Sequence, residues 1–158
     1  MVLLRYLALA GPAFCGDTFK VGVSYFGVAD LSALNDECHK FESQYCNSMI
    51  GPLPERADVY HERSPLFHTD LIKCPILLLQ GTDDKVVPPN QAENMYKSLL
   101  DRGIPVALIM FPGEGHGFKS KDAITRSLEA EMVFYSRIFK FPLSGIDPSV
   151  VDIKNFNL

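Results

Sequence analysis

Two carboxylates and one histidine are the residues here whose spacing suits proton transfer. Asp83 and Asp84 lie in Gly81-Thr82-Asp83-Asp84-Lys85-Val86-Val87-Pro88, and His116 stands in Gly113-Glu114-Gly115-His116-Gly117-Phe118. An imidazole titrates near neutrality, so it can take a proton from a nucleophile and return it to a leaving group. A carboxylate on its other nitrogen fixes the tautomer and stabilises the cation that forms. The glycines around His116 permit a tight loop that a substrate can approach. Taken singly, each segment reads as well as an ordinary turn, since Asp and Gly are common turn residues. Together, in the order acid then histidine, they form the second half of a Ser…Asp…His series.

The elements that position them are legible on either side. Pro75 to Gln80 is an unbroken apolar run of strand length closed by Gln80, as in a strand covered on both faces, and Val106 to Phe111 is another. Between them, Asn90 with Glu93 three residues on predicts an N-cap and its box partner. Ala92, Met95, Tyr96 and Leu99 then make one helical stripe, and Gly103 stops the helix. After His116, the residues Ile124, Leu128, Met132, Tyr135 and Phe139 share one face of a long final helix. Phe19 to Phe26 is rich in aromatic and β-branched residues and predicts an earlier strand. Asp30 to Ile50 reads as helical in part, and Glu55 to His61 as one short helix. Alternating strands and helices imply an α/β fold of about three parallel strands with flanking helices. In such sheets chemistry gathers beyond the carboxyl ends of the strands, where Asp83, Asp84 and His116 fall.

The nucleophile is missing from this pattern. Gly22-Val23-Ser24-Tyr25-Phe26-Gly27 precedes the acid and the histidine, but Phe26 stands where a Gly-x-Ser-x-Gly elbow needs glycine. Ser24 also lies among strand formers, as a plain strand serine would. Cys15 has no elbow around it. His39, His61 and His68 have no carboxylate or cysteine partner at metal-ligand spacing, so neither metal nor cofactor is expected.

The 158 residues fit one domain, with 1–141 carrying the elements and 142–158, which show no period, forming a tail. A net charge of −4 with no basic cluster gives no reason to expect nucleic acid or an anionic membrane. Cys15, Cys38, Cys46 and Cys74 form no C-x-x-C pair and read as reduced thiols of a cytoplasmic protein. Met1 to Ala10 lacks the basic lead of a signal peptide, is interrupted by Arg5 and is too short to span a bilayer. It predicts a buried helix that begins without a cap, with Gly11-Pro12 opening the loop after it.

The residues resemble the C-terminal part of the catalytic domain of prolyl oligopeptidase family serine peptidases, an α/β-hydrolase fold, in the acylaminoacyl-peptidase and dipeptidyl-peptidase-like branch. The resemblance runs from Leu3 to Phe141. It rests on Phe19 to Leu31, on Lys40-Phe41-Glu42-Ser43 and Glu62-Arg63-Ser64-Pro65, and above all on the Gln80 to Pro88 and Phe111 to Phe118 motifs. It implies that Asp84, rather than Asp83, is the catalytic acid and His116 the base, that the substrate is a peptide, and that an elbow serine precedes Met1. The chain would then need the missing N-terminal part of the domain, and alone would leave a sheet edge open to self-association. Nε2 of His116 should face an open cleft where the serine would stand. A non-catalytic binding module and an esterase of the same fold are the alternatives.

Overall fold

The computed structural model describes residues 3–37 and 45–156. Three strands, β1 (Gly22–Tyr25), β2 (Ile76–Gly81) and β3 (Val106–Phe111), form one parallel sheet in the order β1-β2-β3. Every residue of β2 is buried, which is why its sequence is nearly all apolar. Leu79 pairs with Tyr25 on one side and Ile109 on the other, and Gly81 pairs with Phe111. The carboxyl ends of the three strands therefore lie side by side.

Helices cover both faces. On one face α1 (Leu3–Phe14) and α5 (Asn90–Asp101) bury Leu9, Ala13, Met95 and Leu99 against Ile76, Leu78 and Val106. On the other, α6 (Lys121–Phe139) buries Ala123, Ala130, Val133 and Phe134 against Leu77, Leu79, Ala107 and Ile109. Each of those buried leucines contributes about 1.5–3 kcal/mol. Short helices α2 (Leu31–Glu37), α3 (Tyr45–Met49) and α4 (Ala57–Arg63) lie between β1 and β2, and Val28, Leu31, Leu34, Tyr60 and Val87 make a smaller cluster there.

Several expectations need correction. The first helix runs through Gly11-Pro12 to Phe14. Pro12 lies in its last turns, where only one backbone donor is lost and the helix ends two residues later. β1 covers only four residues of the stretch from Phe19 to Phe26. Asn90 is the first helical residue of α5, with Pro89 in the cap position. Real side-chain caps stand elsewhere: Asp30 Oδ1 accepts from Ser32 N and Ala33 N, and Ser120 Oγ from Ala123 N.

On α6 the stripe of large apolar residues faces outward: Ile124, Leu128, Met132 and Phe139 are exposed, Leu128 at 56%. The small side chains Ala123, Ser127 and Ala130 let the helix approach the sheet, and the large apolar residues are left outside. Polar bonds settle that orientation: Glu131 accepts hydrogen bonds from the hydroxyls of Tyr25 and Tyr135, 2.8 Å each. The stretch after Pro142 has no period, yet it is anchored. Val151 and Ile153 are buried, and Lys154 exchanges backbone hydrogen bonds with Val106, closing the start of β3's outer edge. β1's outer edge has no strand partner among the described residues.

Candidate active site

The loops leaving β2 and β3 are laced together before any side chain meets. Asp83 N donates to Glu114 O at 2.9 Å, Thr82 N to Phe111 O at 3.1 Å, and Gly113 N to Thr82 Oγ1 at 2.9 Å. Glu114 then draws in the far end of its loop, its carboxylate accepting from Lys119 N (2.7 Å) and Ser120 N (3.0 Å). Hydrogen bonds from Ser120 and Lys119 hold that carboxyl below the usual range. Gly117, at φ 127°, allows a fold of the loop that a side chain would resist.

This lacing brings His116 to Asp84. Nδ1 lies 2.8 Å from Asp84 Oδ2, with Asp84 buried and the imidazole partly so. Asp83, one residue earlier, is exposed and among the described residues accepts only from its neighbour Thr82 Oγ1. The Asp84 carboxylate is fully engaged: Oδ1 accepts from Val86 N and Val87 N, both at 2.9 Å, and Oδ2 also faces Gln80 Nε2 at 3.2 Å. Burial pushes its carboxyl upward, but the bonds from His116, Val87 and Val86 outweigh burial and hold it below the ordinary aspartate value. A carboxylate at Nδ1 fixes the proton there and leaves Nε2 as the basic nitrogen.

The imidazole rests on aromatic rings. Phe26 lies 5.4 Å from it and Phe118 lies 4.8 Å from Phe26, centroid to centroid. Phe26 follows β1 directly at φ 55°, a backbone shape that disfavours bulky residues.

The approach to Nε2 is not an open cleft. The Arg5 guanidinium lies against the ring, with Nη1 2.5 Å from Nε2 and 3.1 Å from Nδ1, and stacks over Phe26 at 4.9 Å. Burial lowers the Arg5 pKa, and the nearby Asp84 charge raises it in part. Arg5 carries no motif; its position on the inward turn of α1 was the available signal.

Ser24 lies within β1, buried, and its Oγ has no hydrogen-bond partner among the described residues. It packs against Gly27 and bonds to no histidine there. Cys15 is exposed and Cys74 buried, both as free thiols. His39 and Cys38 lie outside the described residues, as does the side chain of Cys46. His61 stacks on Phe67 at 4.3 Å, and His68 meets Phe14 edge-on at 5.2 Å, both away from the pair.

The fold thus sets an acid–histidine pair at the carboxyl ends of neighbouring parallel strands. The sequence pattern of the prolyl oligopeptidase family matches residues 6–141, and the chain belongs to that family. It is 44% identical to a puromycin-hydrolyzing peptidase of Mycobacterium tuberculosis, with a TM-score of 0.87 over 92% of this chain and 22% of that one. It is 32% identical over 137 residues to dipeptidyl aminopeptidase BIII of Pseudoxanthomonas mexicana, covering 80% of this chain and 20% of that protein. A Pyrococcus horikoshii acylaminoacyl peptidase shares the fold at 24% identity, with a TM-score of 0.80 over 92% of this chain and 24% of that one. The chain thus spans about a fifth of the length of these proteins. Among the described residues no helix is long and apolar enough to cross a membrane.

Proposed function

We propose that this chain carries the acid, Asp84, and the base, His116, of a serine-type peptidase centre, and that the nucleophile comes from polypeptide outside residues 1–158. The 2.8 Å contact between His116 Nδ1 and Asp84 Oδ2 carries this reading. In the completed site a serine hydroxyl attacks the peptide carbonyl while Nε2 accepts its proton. The imidazolium, stabilised by Asp84, then protonates the leaving amine. Substrates are short peptides, a reading supported by the names of the peptidase relatives.

The complementary polypeptide docks at β1. A strand added parallel to β1's open edge would end beside Phe26, next to Arg5 and His116. The exposed apolar residues of α1 and α6, among them Leu4, Leu7 and Leu128, offer the added polypeptide further surface to cover. Residues 1–141 are the partial catalytic domain, 142–158 its C-terminal segment, and the reduced thiols fit a cytoplasmic setting. The same edge supports self-association when no partner is present. One observation favours a second reading, a non-catalytic interaction module: Arg5 fills the approach to Nε2.

A fluorophosphonate probe separates the two. The chain alone should remain unlabelled, since it lacks the serine, and loss of oxyanion donors alone costs roughly 10²–10³ in rate. A product of the same gene with upstream coding sequence should label on a serine outside residues 1–158, and His116→Ala should abolish that labelling. Labelling on a serine of this chain, or labelling that survives His116→Ala, overturns the proposal. An unlabelled longer product gives the second reading.

A further inference from the structure

Gln80 is the polar residue in an otherwise apolar strand, and it is fully buried. By alternation it shares a face with Ile76 and Leu78, where a leucine would pack as well. Its side chain is bonded on one end only. Nε2 lies 3.2 Å from Asp84 Oδ2, 3.0 Å from Val87 O and 3.3 Å from Gly81 O, whereas Oε1 has no hydrogen-bond partner among the described residues. Burying an amide oxygen unpaired is unfavourable. Turning the amide over would be worse, because it would set oxygen against the carboxylate and the Val87 carbonyl. The fold therefore carries a cost that a leucine would avoid, and the amide nitrogen is what it obtains in return.

The one side-chain group among that nitrogen's acceptors is the Asp84 carboxylate. Asp84 Oδ1 is held by two backbone N–H groups, which fix one end of the carboxylate. Among the described residues Oδ2 has only His116 Nδ1 and Gln80 Nε2. Without the amide, the carboxylate could swing about its Oδ1 anchor and leave the histidine. The bond to Val87 O also ties the end of β2 to the turn that supplies those backbone donors.

We propose that Gln80 is a positioning residue for the proton relay: its amide sets the plane of the Asp84 carboxylate so that Oδ2 faces His116 Nδ1. The proposal rests on reading Asp84 and His116 as the relay. Its test reads their geometry rather than turnover, so the two can fail separately.

The test uses the full 158-residue chain with Gln80→Met, an unbranched apolar replacement, and Leu78→Met as a control on the same face of the same strand. Nitrogen-15 NMR of the imidazole at about pH 8, above the ordinary histidine range, reports the tautomer and the exchange of the Nδ1 proton. The parent and Leu78→Met should hold the Nδ1–H tautomer. Gln80→Met should populate both tautomers and exchange that proton roughly tenfold faster, as expected when one hydrogen bond to a charged group is lost, while melting within a few degrees of the parent. A Gln80→Met chain that keeps the single tautomer and slow exchange overturns the proposal, as does equal loss in Leu78→Met. Should Gln80→Met not fold, Gln80→Leu replaces it. If neither folds while Leu78→Met does, the amide is a folding element and the proposal fails.

Discussion

Gly81 and Glu114 meet backbone to backbone. A Cβ on Gly81 would fall on the Glu114 carbonyl and 2.7 Å from the Gly115 carbonyl oxygen. Neither obstacle is a flexible side chain, so the close approach of the two loops depends on glycine at the end of β2. Gly81→Ala should cost about 1–3 kcal/mol by overpacking and draw His116 away from Asp84. Urea melts measure the first effect and the imidazole tautomer the second. An alanine variant with parental stability and tautomer would show that the loops yield freely.

Asp84 gives the fold an acid-sensitive element. Its folded pKa lies below the unfolded value of about 3.9. The stability it contributes is therefore present above about pH 4 and lost as the pH falls through the folded value. Thermal melts from neutral pH downward should show a steeper acid limb for the parent than for Asp84→Asn. At neutral pH Asp84→Ala should cost about 2–4 kcal/mol, because it strands the buried Val87 N–H and removes the partner of Val86 N–H and of the His116 ring. Parallel acid limbs in parent and Asp84→Asn would remove Asp84 from the account.

Arg5 shields the basic nitrogen. A charge-assisted contact of this kind, partly exposed, is worth on the order of a tenfold change in access. Carbethoxylation of His116 by diethyl pyrocarbonate, followed by peptide mass mapping, should be about tenfold faster in Arg5→Ala. His61 and His68, which Arg5 does not touch, serve as internal controls. Equal rates at His116 in both chains would mean that Arg5 leaves the ring in solution.

The stripe on α6 should govern association rather than folding. Leu128 is 56% exposed, so Leu128→Glu should change stability by less than about 0.5 kcal/mol. It should also reduce concentration-dependent self-association in sedimentation velocity. Unchanged association would point to the β1 edge alone.

What the sequence makes legible follows from local rules. β2 and β3 show as apolar runs, and the loops after them announce themselves by glycine, so Asp84 and His116 can be placed at neighbouring strand ends. Which face of α6 meets the sheet is another matter. Ile124, Leu128, Met132 and Phe139 line one side of the helix and Ala123, Ala130, Val133 and Phe134 another, and periodicity marks apolar stripes without naming what covers them. Here Ala123 and Ala130 meet the sheet because close packing favours them, and Tyr25 bonding to Glu131 locks that choice. Arg5 and Gln80 escaped notice for a related reason. Arg5 matters through His116, 111 positions away, and no local pattern encodes that meeting; Gln80 bonds Asp84 only four positions on, but a strand pattern does not say which way the chain turns after β2. The anchoring of Val151 and Ile153 is likewise a long-range contact between short apolar residues and the sheet.

The large apolar residues left outside on α6 also bear on how long the chain survives in a cell. Chaperones and proteases sort proteins by the apolar surface they show. A chain with Ile124, Leu128, Met132 and Phe139 uncovered presents such a surface even when fully folded. On the reading proposed above, its abundance would follow the supply of the polypeptide that covers that helix more than its own folding free energy, and the two should rise and fall together.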